Sequence, residues 1–117
     1  MDLIYFIKNY EEGLREFLFA KNKSQLKDAI EDMYTACDEI AKIVLGNKNK
    51  GFKHVFKNDD SKKIGFSTKY SKELFRNLKD WMDSIKHGTI KNYDRHDVEI
   101  IINTVSSFLR LLANKNS

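Results

Sequence analysis

From Phe66 to Thr89 the chain reads FSTKYSKELFRNLKDWMDSIKHGT, and its apolar residues recur with the period of a helix. At about 100° per residue, Leu74, Leu78, Trp81, Met82 and Ile85 fall within one arc roughly 100° wide. Arg76, Asp80, Asp83 and His87 gather on the opposite side. This pattern predicts an amphipathic helix with its apolar arc on a core and its polar arc free for water or a partner. Ser67 or Ser71 is placed to cap its start, and Gly88 to end it.

Three further segments share that period. Leu3, Ile4, Ile7, Tyr10, Leu14, Phe17 and Leu18 predict a first helix reaching about Ala20, with Asp2 as its cap. Gly13 interrupts it at a cost of about 1 kcal/mol relative to alanine. Close approach by another helix would account for a glycine there. A second helix is expected from Gln25 to Leu45, capped by Ser24 and closed by Gly46 in a left-handed conformation. Its buried line is Leu26, Ala29, Ile30, Met33, Cys37, Ile40, Ala41 and Val44. A last helix, capped by Asn92 or Asp94, runs to about Ala113 and buries Val98, Ile101, Ile102, Val105, Phe108, Leu109 and Leu112. The tail from Asn114 to Ser117 is expected to fray.

Asn47 to Phe66 has no such period. Phe52, Val55 and Phe56 suit one short turn against the core, with Ile64 and Phe66 as a second anchor. The remainder reads as a flexible connection of about twenty residues, a length that is usually functional or disordered. The expected fold is therefore all-α: one domain over residues 1–117, an antiparallel four-helix bundle with a long basic loop between its second and third helices. The absence of proline and the scarcity of glycine fit long uninterrupted helices.

Charge changes the picture more than composition does. Between Gly46 and Lys72 eight lysines face two aspartates, so this window is +6 in a chain of net +4. Such concentration is the footprint of a polyanion partner, and Lys48, Lys50, Lys53, Lys57, Lys62, Lys63 and the later Lys86 are the candidate nucleic-acid-binding residues. The alternative is a solvated lysine-rich loop. The single cysteine, Cys37, sits in an apolar line and reads as a core residue in a chain suited to a reducing cytosol. No apolar run has membrane-spanning length, and the acid near the N-terminus is unlike a signal peptide. A soluble cytoplasmic protein without cofactor is expected. No glycine-rich phosphate loop, HExxH or paired Cys/His spacing is present, so no metal is expected.

The polar arc holds the candidate chemistry. His87 can move protons near neutral pH, and Arg76 can stabilise charge on a phosphorane-like transition state. With the 2′-hydroxyl as internal nucleophile, such a pair can cleave RNA without metal. Eleven residues separate the two, roughly 16 Å along a straight helix at about 1.5 Å per residue, so a second copy is needed to complete one site. Asp83 and His87, four apart, are placed to pair. The alternative is a helix whose outer side is merely solvated.

AIEDMYTACDEIAKIVLG, ELFRNLKDWMDSIKHGT and DVEIIINTVSSFLRLL together resemble the HEPN superfamily, in particular the small helical domains of prokaryotic abortive-infection proteins. The likeness is carried by Arg76–Asn77, by Lys86-His87-Gly88 near the end of that helix, and by the acid-started apolar last helix. It implies a dimer engaging RNA in antiviral defence. It also implies a metal-independent endoribonuclease with Arg76, Asn77 and His87 as catalytic residues. Ten residues lie between Arg76 and His87, a longer gap than that family's motif has, and lysine precedes the histidine where arginine is usual. Members without catalysis act as dimerisation or interaction modules, which is the alternative function. A third reading takes His54-Val-Phe-Lys57 as similar to the His-x-x-Lys of histidine phosphotransfer bundles, with Asn58 in place of glycine.

Overall fold

The computed structural model describes residues 3–115, and every regular element among them is a helix. The elements are α1 (Leu3–Phe19), α2 (Lys23–Leu45), a 3-10 turn (Phe52–Phe56), α3 (Asn58–Ile64), α4 (Lys69–Lys86) and α5 (Arg95–Lys115). Asp2, the expected cap of the first helix, lies outside the described residues, as do the last two residues of the tail.

α2 is the central element and packs against α1, the 3-10 turn, α3, α4 and α5. Its expected buried line lies in the core except for Val44, which is half-buried, and Tyr34, Ala36 and Leu45 join it. α1 approaches it closely at Gly13. A Cβ there would come within 3.1 Å of both the Ala29 carbonyl oxygen and Met33 Cε, so the glycine is the price of close helix packing. Phe17 is buried, whereas Ile7, Leu18 and Phe19 are exposed. At the far end of α1, Arg95 donates to the carbonyls of Leu18 and Ala20 and lies 4.3 Å from the centroid of the Phe17 ring. Arg95 thus satisfies orphan carbonyls at a helix end, a structural role.

The stretch expected as a long flexible basic loop is largely structured. Phe52, Val55 and Ile64 are fully buried, and they fold the 3-10 turn and α3 onto the core. Phe52 lies 4.8 Å from Phe108 and 5.2 Å from Tyr34 between ring centroids, and Phe56 stacks on Phe66 at 5.9 Å. Burial of these rings, on the order of 2 kcal/mol each, opposes the entropy that would otherwise leave a lysine-rich segment disordered.

The caps shift in two places. Asn22, with extended backbone, accepts from the Gln25 N–H at 2.9 Å, so α2 starts earlier than a Ser24 cap implies. Thr68, between the two expected serines, accepts from the Ser71 N–H at 3.1 Å. Gly46 closes α2 at φ 64° as expected, and Asp94 caps α5, exchanging hydrogen bonds with Asp97. The N–H of Asp97 holds the Asp94 carboxyl below its ordinary range. On α4 the apolar arc is rotated: Leu74 is 55% exposed, and Phe75, at 6%, packs on Phe66 and Phe108 in its place.

Candidate anion cleft and the outer face of α4

The outer face of α4 does not bring its two candidate catalytic residues together within one chain. Arg76 Nη2 holds Glu73 Oε2 at 2.7 Å, both largely exposed. His87 is the C-terminal cap residue, its backbone N–H donating to the Asp83 carbonyl at 2.9 Å while its ring is exposed. Along an unbroken helix the two remain roughly 16 Å apart. Asn77 is exposed between them.

Asp83 is turned inward, away from a pairing with His87. Its carboxylate lies 3.3 Å from Lys79 Nζ, which also holds Asp80 at 3.0 Å, and its charge acts on the Tyr34 hydroxyl of α2. Burial and then the adjacent Asp83 charge push the Tyr34 hydroxyl well above its ordinary pKa. Lys86 covers the same ring, with Nζ 3.7 Å from its centroid. Of the expected polar arc, Asp83 therefore faces α2, whereas Arg76, Asp80 and His87 stay on the exposed side.

The lysines are better organised than the arc. Lys48 and Lys53 line a cleft of about 400 Å³ together with Lys42, His54, Asn49, Asp38, Gly51 and Tyr34. α2 supplies its floor and the 3-10 turn one wall. Asp38 is the only carboxylate there, and its Oδ1 accepts the Phe52 N–H at 2.6 Å. Lys42 pairs with Glu39 at 3.2 Å, whereas Lys48 and Lys53 have no ion-pair partner among the described residues.

His54 is half-buried with Nδ1 enclosed. Burial first, then the charges of Lys57 and Lys53, lower its pKa, so the ring is neutral near pH 7. Lying on the 3-10 turn rather than within a long helix, it lacks the setting that a phosphotransfer histidine needs.

The other expected lysines divide by role. Lys50 is tied to Asp60 at 2.9 Å, and Asp60 is only 6% exposed. Lys57 and Lys63 are exposed. Lys62 lines a smaller cleft with Lys69 and Lys72, where Lys72 Nζ reaches Ser61 Oγ at 3.3 Å. Neither Lys42 nor His54 is among the expected cleft residues, because one lies on the last turn of a helix read for its apolar line and the other stands out in sequence only within His54-Val-Phe-Lys57. The sequence signal was present: Lys42 is four residues from Gly46, where the lysine-rich segment begins.

Two other groups are shaped by burial. Cys37 is fully enclosed, which pushes its thiol well above the ordinary range. Between α1 and α2 the Glu16 carboxyl meets Asp32, with Asp28 and Glu12 nearby; burial, then Asp32, push it up to about 8. No cluster of three or more His, Cys, Asp or Glu suited to a metal occurs among the described residues, and none of the described helices is long and apolar enough to cross a membrane. No protein-family model, curated protein or solved structure matches the chain, so the residues themselves carry its functional reading.

Proposed function

We propose that this chain is an RNA-engaging helical domain of the HEPN type, with α1, α2, α4 and α5 as an antiparallel four-helix bundle, acting as a cytoplasmic homodimer in prokaryotic defence. One observation carries the RNA half: Lys48 and Lys53, without ion-pair partners among the described residues, converge with Lys42 and His54 on a cleft whose one lining carboxylate among those residues is engaged by backbone. Lysine ammonium groups arranged this way attract phosphate by charge rather than by bidentate geometry. Lys57, Lys62 and Lys63 extend the positive surface along the same segment. Binding to single-stranded RNA, measured by fluorescence anisotropy, weakens steeply from low to physiological salt as counterions are released. Affinity that is flat over that range refutes the reading.

Metal-independent cleavage is a further part of the proposal and requires two copies, with His87 of one facing Arg76 of the other and Asn77 beside them. His87→Ala then abolishes RNA cleavage without lowering the melting temperature. Purified protein that leaves single-stranded and transfer RNA intact removes the enzymatic part and leaves binding.

The second reading, a non-catalytic dimerisation or interaction module of a larger defence system, is favoured by a specific feature of α4. Tyr70 and Leu74, one turn apart, are 74% and 55% exposed beside Glu73 and Arg76. If this face pairs with protein, Leu74→Glu or charge reversal at Arg76 changes the sedimentation coefficient while RNA affinity stays constant.

A further inference from the structure

The cleft beside Lys48 and Lys53 has a second peculiarity, independent of its charge. His54 Nδ1 is buried and has no hydrogen-bond partner among the described residues. Buried polar nitrogens are nearly always paired, and an orphan indicates an ion, a water or a strained site. The same ring lines the cleft. Lys53 and Lys57 act on it from its own turn and its edge, Lys50 from the preceding connection, and Asp60 from α3. Tyr34, Asp38 and Lys42 face the cleft from α2, and Lys48 from the segment after it.

We propose that this cleft is a binding site for a phosphomonoester, the phosphate at the end of an RNA strand. The inference rests on the RNA reading above and deepens it by assigning one part of the strand to one place. Its volume of about 400 Å³ is enough to seat a terminal phosphate with part of its nucleotide. A phosphomonoester carries about −1.5 to −2 near neutral pH, more than the single charge of a backbone diester. Lys48 and Lys53, without ion-pair partners among the described residues, suit the larger charge, whereas Lys42 is shared with Glu39. The Asp38 carboxylate is held on the Phe52 N–H, so it opposes an incoming anion less than a free acid would. A dianion in this position favours the imidazolium form of His54, so occupancy and proton uptake are linked.

The test uses the full chain. Histidine ring resonances are followed by NMR against pH, with and without inorganic phosphate. The His54 midpoint moves up when phosphate is added. RNA strands of one sequence, ending in phosphate or in hydroxyl, are then compared by anisotropy. The phosphorylated strand binds about tenfold tighter, the worth of one additional charge-assisted contact. Lys48→Gln combined with Lys53→Gln erases that preference, and Lys63→Gln does not; circular dichroism confirms that the variants are folded. A His54 midpoint indifferent to phosphate, with equal affinity for the two strands, overturns the site. Salt-dependent binding of both strands without preference overturns this inference alone and sustains the RNA reading. A phosphate-linked shift of His54 in a protein that binds neither strand refutes the RNA reading, and with it the RNA end as the source of the phosphate.

Discussion

The ammonium group of Lys86 lies 3.7 Å from the centroid of the Tyr34 ring, whose hydroxyl is acted on by the charge of Asp83 on the same helix as the lysine. The contact joins α4 to α2 close to the anion cleft, since Tyr34 is also part of the cleft lining. Lys86, like the Asp60-bound Lys50, is therefore less available than the other candidate nucleic-acid-binding lysines. Lys86→Ala lowers unfolding free energy by about 1 kcal/mol, the value of a partly desolvated cation–π contact. Urea denaturation measures it. RNA affinity falls less than in Lys48→Ala.

Lys50 and Asp60 fix the lysine-rich segment from within. Lys50→Ala leaves a nearly buried carboxylate without its cation and destabilises by about 2 kcal/mol. Replacing both residues by Met and Leu restores most of that loss, because the desolvation cost disappears with the charges. A double-mutant cycle in urea reads the difference, and a double variant no more stable than Lys50→Ala would contradict the argument.

Glu16 makes stability depend on pH. Its carboxyl, pushed up to about 8 from the ordinary 4.5, binds its proton more tightly in the folded chain. The contribution is fully present below about pH 4.5 and is lost as pH rises through 8. Glu16→Gln, which cannot ionise, has a melting temperature that declines less than that of the parent between about pH 5 and pH 9. Thermal denaturation across that window tests the sign.

Cys37 is inert in the folded chain. A chromogenic disulfide reagent labels it only at the rate of unfolding, and denaturant releases the thiol at once. Rapid labelling under native conditions would place Cys37 on an accessible surface instead.

Much of the helical frame was legible because α2 and α5 bury the residues their period selects, and Gly46 ends α2 in the conformation glycine favours. Three failures have distinct physical origins. Ser67, Thr68 and Ser71 all carry hydroxyls, and only the backbone direction at Thr68 decides which oxygen reaches an orphan N–H. Leu74 and Phe75 are adjacent at the edge of an arc, and the ring cluster of Phe66 and Phe108, remote in sequence, decides which is buried. The 3-10 turn and α3 are five and seven residues long, too short to show a period. The charge of the candidate site was equally plain, but its concavity was not, since Lys42 and His54 meet Lys48 and Lys53 only after Phe52 is buried.

Asp38 stands at the junction between shape and affinity. Removing its negative charge should strengthen attraction for an anion, yet its Oδ1 also holds the Phe52 amide, and Gly51 beside it has no room for a side chain. Asp38→Ala removes that acceptor and loosens the wall on which Lys53 and His54 are mounted, whereas Asp38→Asn keeps an amide oxygen that accepts the same N–H. Only side chains that retain an acceptor oxygen at position 38 can therefore lower the negative charge of this wall without undoing the turn that shapes it.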